Sequence, residues 1–152
     1  ELKIDHFNYD LRFIPAGSDG DEQMHVILPG SIMASQLGRT KVIANVWAGS
    51  SRSTVRMRVD DGPWVPMTQT PGQDPLSQQL VLAEAAQGAT RGMKMSDPAN
   101  TDHLWTGTLP TGVSPGGHTL EVESTDQFGV VDTSYRIFRV LKDSAPPGAS
   151  DS

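Results

Sequence analysis

Short stretches of alternating apolar and polar residues recur along this chain, and residues that favour turns close almost every one of them. Residues 54–60 illustrate the pattern, because their valines and methionine occupy every second position and would share one face of a strand. The Asp-Asp-Gly sequence at 60–62 is typical of a tight hairpin turn. This patterning predicts strands at residues 6–13, 23–28, 41–48, 54–60, 64–67, 103–109, 118–125 and 131–140.

Seven or eight short strands at this spacing predict an all-β fold, namely an antiparallel immunoglobulin-like or fibronectin-like β-sandwich. A closed barrel is the alternative architecture. The 15 glycines and 11 prolines supply the turns that so many short elements require.

Residues 68–102 interrupt the strand pattern and predict an insertion of helical or irregular structure. An Asp-Pro pair at 74–75 suits a helix start, and the leucines and alanine that follow at helical spacing predict an amphipathic helix of about three turns. The β-sandwich domain is therefore expected to span residues 1–142. Residues 143–152 lack apolar anchors and predict a disordered tail.

Composition and charge exclude several classes of function. No run of about 18 apolar residues is present, so the sequence contains no helix that would span a membrane. The net charge of −6 provides no basic footprint for nucleic acid. The absence of cysteine excludes disulfides, thiolate catalysis and cysteine-ligated metal sites. The first residue is Glu1 and not an initiator methionine, which favours a processed protein or a fragment.

The four histidines have no spacing that predicts a metal or catalytic centre, and no H-E-x-x-H motif occurs. His103 follows Asp102, but neighbouring side chains on a strand point to opposite faces, so this pair is not expected to converge. His118 follows a Gly-Gly turn. Both histidines are candidate ligand or interface contacts. The alternative is a partly buried imidazole that hydrogen-bonds a neighbouring loop. This alternative is favoured because no second metal-ligating or catalytic residue lies at a suitable spacing.

Trp64 and Trp105 are the other two candidate contact residues. An exposed tryptophan on a sandwich can stack on a sugar ring or anchor a partner protein. The alternative for each is that it fills the core or covers a sheet edge, and this alternative is favoured for both. Trp47 lies in the most apolar predicted strand and is expected to pack in the core.

A series of short motifs occurs in a defined order. These are ANVW at 44–47, RVDDGPWVPM at 58–67, DP at 74–75, HLW at 103–105, LP at 109–110, GHTLEV at 117–122, TDQFG at 125–129 and RIFRV at 136–140. In this order, and with a long insertion after residue 67, the series resembles the C-terminal domain of bacterial calcineurin-like phosphoesterases. The resemblance extends from about residue 9 to residue 140.

The resemblance implies a larger parent protein in which a separate catalytic domain holds two divalent metal ions through Asp, His and Asn. The motifs of that domain, of the D-x-H, G-D-x-x-D, G-N-H and G-H-x-H kind, do not occur here. No catalytic residue, metal ligand or cofactor is therefore assigned to this chain. The resemblance further implies that the partner is the catalytic domain of the same polypeptide and that the location is periplasmic or secreted.

Three hypotheses about function follow. The leading one is a non-catalytic accessory domain of a metal-dependent phosphoesterase, which packs on the catalytic domain. The second is an independent carbohydrate-binding or surface-binding module, for which titration of tryptophan fluorescence with polysaccharides is the test. The third is a small hydrolase in its own right, which the absence of any assembled nucleophile, base or metal set disfavours.

Overall fold

The computed structural model describes residues 2–5, 8–11, 22–75, 78 and 99–144. Alternating sequence patterns produce strands throughout these ranges. The strands in chain order are β1 (Leu2–Asp5), β2 (Asn8–Leu11), β3 (Met24–Ile27), β4 (Ser31–Met33), β5 (Lys41–Val46), β6 (Thr54–Val59), β7 (Val65–Pro66), β8 (Thr68–Gln69), β9 (Gly72–Gln73), β10 (Asn100–Thr101), β11 (Leu104–Thr108), β12 (Gly116–Thr125) and β13 (Val131–Leu141). A 3-10 helix, Ala34–Arg39, follows β4.

Two larger sheets form the body of the domain. One has four strands in the order β3-β5-β11-β8, and the other has five in the order β4-β13-β12-β6-β7. Their pairings are antiparallel except that β4 runs parallel to β13. Two smaller antiparallel sheets pair β1 with β2 and β9 with β10.

The core lies between the two larger sheets. Its residues follow from the alternation of side chains along a strand, in which every second residue points to the same face. Val42, Ala44 and Val46 of β5 are buried, and Leu120 and Val122 of β12 are fully buried as the alternation predicted. One hydrophobic cluster combines inward residues of both sheets. The prediction of an all-β sandwich is therefore confirmed.

Most predicted strands of the two larger sheets are present with ends shifted by a few residues. β5 is a central strand between β3 and β11, as expected, and β7 is short and lies at a sheet edge, where Pro66 costs no ladder hydrogen bond. β4 and the 3-10 helix were not predicted. Three residues are too few to show alternation, and β4 exists because β13 offers it a pairing edge.

The predicted strand 6–13 corresponds to β2, which pairs with β1 in a hairpin that was not predicted; residues 6–7 and 12–13 lie outside the described ranges. Parts of the proposed insertion at 68–102 join the strands, since β8 pairs with β11 and β9 pairs with β10. Such two-residue strands carry no detectable periodicity.

The predicted helix of the insertion is described only at its start. Pro75 and Gln78 are helical, and the Gln78 N–H donates to the Asp74 carbonyl oxygen at 3.1 Å. Residues 76–77 and 79–98 lie outside the described ranges, as do residues 145–152 of the proposed tail. Asp143, at the start of that tail, accepts hydrogen bonds from the Ser35 N–H and hydroxyl at 3.2 and 2.7 Å.

Arg136, on β13 of the five-stranded sheet, links that sheet to β3, the edge strand of the four-stranded sheet. Its Nε donates to the Val26 carbonyl oxygen of β3 at 3.1 Å, and one terminal nitrogen donates to the Tyr135 carbonyl oxygen at 2.9 Å. The guanidinium thus occupies a backbone acceptor of the edge strand β3, which would otherwise be open to pairing by another strand.

Replacing Arg136 with methionine is expected to lower the free energy of unfolding by about 1 kcal/mol, because the stem is kept and two hydrogen bonds are lost. Arg139→Met is the matched control, since Arg139 is an exposed arginine on the same strand whose backbone N–H bond to Gly30 is unaffected. Urea denaturation of both variants provides the measurement. Equal midpoints for the two variants would show that the bridge contributes nothing.

Candidate functional site

Trp64 lies on the solvent side of the five-stranded sheet between two arginines. The guanidinium carbons of Arg56 and Arg58 lie 4.3 and 4.5 Å from the centroid of its ring. The arginines are two residues apart on β6, so both side chains project from the same face, and the hairpin turn at 60–62 returns Trp64 to them. Each contact is a cation–π interaction that holds the indole ring against the sheet.

Each arginine is also paired with a glutamate on β12. Arg56 Nε and one terminal nitrogen lie 2.8 and 2.7 Å from Glu123 Oε1, and Arg58 Nε lies 2.6 Å from Glu121 Oε2. The β6–β12 register places these residues directly opposite each other. The hydrogen bond that Arg58 donates to Glu121 raises the pKa of Arg58, which remains charged. The arginine charges are therefore balanced within the sheet.

Exposed apolar side chains of β13 lie beside these arginine–glutamate pairs. Tyr135 lies opposite Glu121 and is 58% exposed, and Ile137, two residues further, is 82% exposed. Both alternate with buried Phe138 on the other face of the strand. We call this surface the outer face, and it is formed by Arg56, Arg58, Trp64, Glu121, Glu123, Tyr135 and Ile137.

His118, a residue singled out from the sequence, is held at one end of the same sheet. Its Nδ1 lies 2.8 Å from Asp60 Oδ2, and its Nε2 lies 2.7 Å from the Ser114 carbonyl oxygen. The Thr119 N–H donates to Asp60 Oδ1 at 3.0 Å. Asp60 has a φ of 51°, so the left-handed position of the turn is taken by Asp60 and not by the glycine at position 62.

The two acceptors favour the doubly protonated imidazolium, in which both ring nitrogens donate. The bond to Asp60, followed by that to Ser114, raises the pKa of His118 above its ordinary value. The hydrogen bond from the Thr119 N–H, followed by that from His118, lowers the pKa of Asp60. His118 is thus a hydrogen-bonded structural link between the β6–β7 turn and β12, with neither nitrogen available to a metal ion.

The raised pKa of His118 predicts that the domain loses stability as the pH rises from the ordinary histidine pKa of about 6.5 through the higher folded-state pKa. The lowered pKa of Asp60 stabilises the fold above the ordinary carboxyl range, and this contribution is lost only in acid. Melting temperatures of the wild type and His118→Gln, measured across this range, test the prediction. The variant should melt lower at pH 6 and converge toward the wild type at pH 9; a constant difference would contradict it.

His103 lies elsewhere, at a polar cavity of about 660 Å³. Its Nδ1 lies 2.9 Å from the Gly49 carbonyl oxygen, and its backbone N–H donates to Thr101 Oγ1 at 3.1 Å. Asp102 also lines this cavity, although the pair was not expected to converge on one ligand. That expectation assumed a strand at both positions, whereas β11 begins only at Leu104.

The other tryptophans occupy different environments. Trp105 is 2% exposed and forms part of the hydrophobic cluster, so core packing is the role that the structure shows for it. Trp47 was expected in the core, but it is half-buried just after β5, where its backbone N–H donates to the Gln23 carbonyl oxygen at 3.1 Å.

The structure does not bring the four candidate residues into one site. Trp64 and His118 belong to the five-stranded sheet, His103 lines the cavity, and Trp105 is in the core. Sequence reasoning missed Tyr135 and Ile137. Their signal was present in the alternation of residues 131–140, which placed a second set of apolar side chains opposite Phe138 and Val140.

The histidines and carboxylates do not fit a metal centre in the ranges that the structure describes. No three His, Asp or Glu side chains there come together as a group that could hold a metal ion. His118 uses both nitrogens and His103 uses Nδ1 in hydrogen bonds within the protein. Across the same ranges, no helix is both long and apolar enough to cross a membrane.

Comparison with known proteins identifies the family. No curated protein matches the chain. A family model described as the C terminal of calcineurin-like phosphoesterase matches residues 1–131, which is most of the chain. The sequence resemblance is thereby confirmed, and the chain belongs to the family of C-terminal domains of calcineurin-like phosphoesterases.

Proposed function

We propose that this chain is an accessory domain that packs on the catalytic domain of the same polypeptide, and that this catalytic domain hydrolyses phosphate esters. The observation that carries the proposal is the family match over residues 1–131, since a C-terminal domain of a phosphoesterase accompanies a catalytic domain. The donor chemistry of the chain supports it. A two-metal phosphoesterase centre requires several convergent ligands, and the described residues contain no such group.

The chain's own contribution is then structural. Two described histidines, His103 and His118, hydrogen-bond within the protein, and His118 thereby fixes the turn at Asp60. A periplasmic or secreted location is part of the proposal and rests on the sequence resemblance alone. Fractionation of the native cells, with detection of the chain in each fraction, tests that location.

Phosphatase assays of the isolated chain test whether catalysis belongs to the separate catalytic domain. We expect no hydrolysis of p-nitrophenyl phosphate with added Mn²⁺ by this chain, and metal-dependent hydrolysis by a polypeptide that also contains the catalytic domain. Turnover by the isolated chain that a chelator abolishes would overturn the proposal. So would a longer polypeptide that lacks phosphoesterase activity with several phosphate esters and metals.

A further inference from the structure

We infer that the outer face is the surface on which the catalytic domain of the same polypeptide docks. This inference rests on the proposed function for the existence of that partner. The first observation is the exposure of Tyr135 and Ile137 on a regular strand, where exposed side chains are normally polar when one face of a sheet meets water. The outward row of β13 begins and ends with two further exposed apolar residues, Val131 and Leu141.

The composition of the outer face is that of an interface. Tryptophan, tyrosine and arginine are the residues most enriched among those that dominate binding energy. Here they are held in place before any partner arrives, since Trp64 contacts both arginines and each arginine is bonded to a glutamate. Side chains that are already ordered lose less conformational entropy on binding.

The charge of the outer face indicates the chemistry of its partner. Arg56 and Arg58 are balanced by Glu123 and Glu121 at 2.7 and 2.6 Å, so burial of these pairs would leave neither arginine uncompensated. Arg139, exposed two residues beyond Ile137 on the same side of β13, needs a hydrogen-bonding or acidic group of the partner. A complementary surface therefore needs apolar side chains opposite Ile137 and neutral hydrogen-bonding groups opposite the arginine–glutamate pairs. A strongly acidic or basic surface would not match it.

The size of the sheet side that carries the outer face fits a contact between linked domains. At strand dimensions of about 3.3 Å per residue and 4.8 Å between strands, the outer sides of β6, β7, β12 and β13 cover a flat area of roughly 450 Å². Inter-domain contacts within a chain bury about 600–1,500 Å² of accessible surface in total, or half of that on each side, so one such contact can be accommodated here.

Hydroxyl-radical footprinting of the isolated chain and of the polypeptide with its catalytic domain tests the inference. Oxidation of Trp64 and Tyr135 should be about threefold or more lower in the longer polypeptide, because the centre of an interface excludes water. In the longer polypeptide, Ile137→Asp should restore oxidation to the level of the isolated chain. Val130→Asp, at an exposed apolar residue in the β12–β13 turn, is the matched control and should leave the protection intact.

Each other outcome has a defined meaning. If Trp64 and Tyr135 are equally oxidised in both contexts while other residues of this chain are protected, the docking face is wrong and the proposed packing stands. If no residue is protected, the proposed packing fails as well. If the isolated chain forms dimers that Ile137→Asp dissociates, the partner of the outer face is a second copy and the inference is overturned.

Discussion

Replacing Phe138 with alanine is expected to lower the free energy of unfolding by about 3–5 kcal/mol, the usual cost of removing a fully buried phenylalanine side chain. Phe138 is 2% exposed and projects from β13 into the cluster that joins the two larger sheets. The centroid of its ring also lies 5.8 Å from that of the His118 ring, on the paired strand β12. The variant therefore loses core volume and also the packing surface of a structural histidine.

The neighbouring residue supplies the control. Ile137→Ala removes a large apolar side chain from the same strand, but Ile137 is 82% exposed, and a change of at most about 0.5 kcal/mol is expected. Denaturant titration of both variants measures the two losses of unfolding free energy. If the slope of that free energy against denaturant concentration is unchanged, the two losses can be compared directly as effects on the inner and outer sides of β13. A loss at Ile137 as large as that at Phe138 would show that the assignment of inner and outer sides is wrong.

The second large effect is expected at Gly49, where alanine should lower the free energy of unfolding by about 3 kcal/mol through overpacking. A Cβ atom there would overlap Cη2 of the Trp105 ring and lie 2.6 Å from Cζ3 and 2.9 Å from the Val46 carbonyl oxygen. The indole ring cannot yield, because it is rigid and is itself buried in the core. The backbone would have to move instead.

Movement at Gly49 has a second readout, since its carbonyl oxygen is bonded to His103 Nδ1. We expect the ring resonances of His103 to shift in Gly49→Ala. Gly30→Ala is the control, because a Cβ atom at Gly30 has no neighbour within 4 Å. Equal stability of the two alanine variants would contradict the close approach of Gly49 to Trp105.

The strands that the sequence predicts are those long enough for alternation to appear. Residues 118–125 placed Leu120 and Val122 inward, and both are fully buried. The two-residue strands β8, β9 and β10 depend on neighbours supplied by distant segments and leave no local pattern. The turn at 60–62 was predicted, but the residue with positive φ is Asp60, because its carboxylate is held by Thr119 and His118.

The candidate functional residues also divide into those that local alternation places and those whose position depends on distant segments of the chain. Alternation along β13 is sufficient to place Tyr135 and Ile137 on the side opposite Phe138, so that part of the outer face was accessible from sequence. The link between His118 and Asp60 spans 58 positions and requires the β6–β12 register. The placement of both Asp102 and His103 at one cavity follows a bend before β11, which alternation does not report.

The order of the five-stranded sheet has a consequence for synthesis of the protein. β12 separates β6 from β13, and β13 separates β12 from β4, so the centre of this sheet consists of the last strands to be made. A growing chain can pair β6 with β7, but it leaves the inner side of the four-stranded sheet uncovered until residue 141 has emerged. The family match ends at residue 131, so a recombinant fragment cut at that boundary would lack all of β13 beyond Val131, including Phe138 and Val140, and we expect it to remain unfolded.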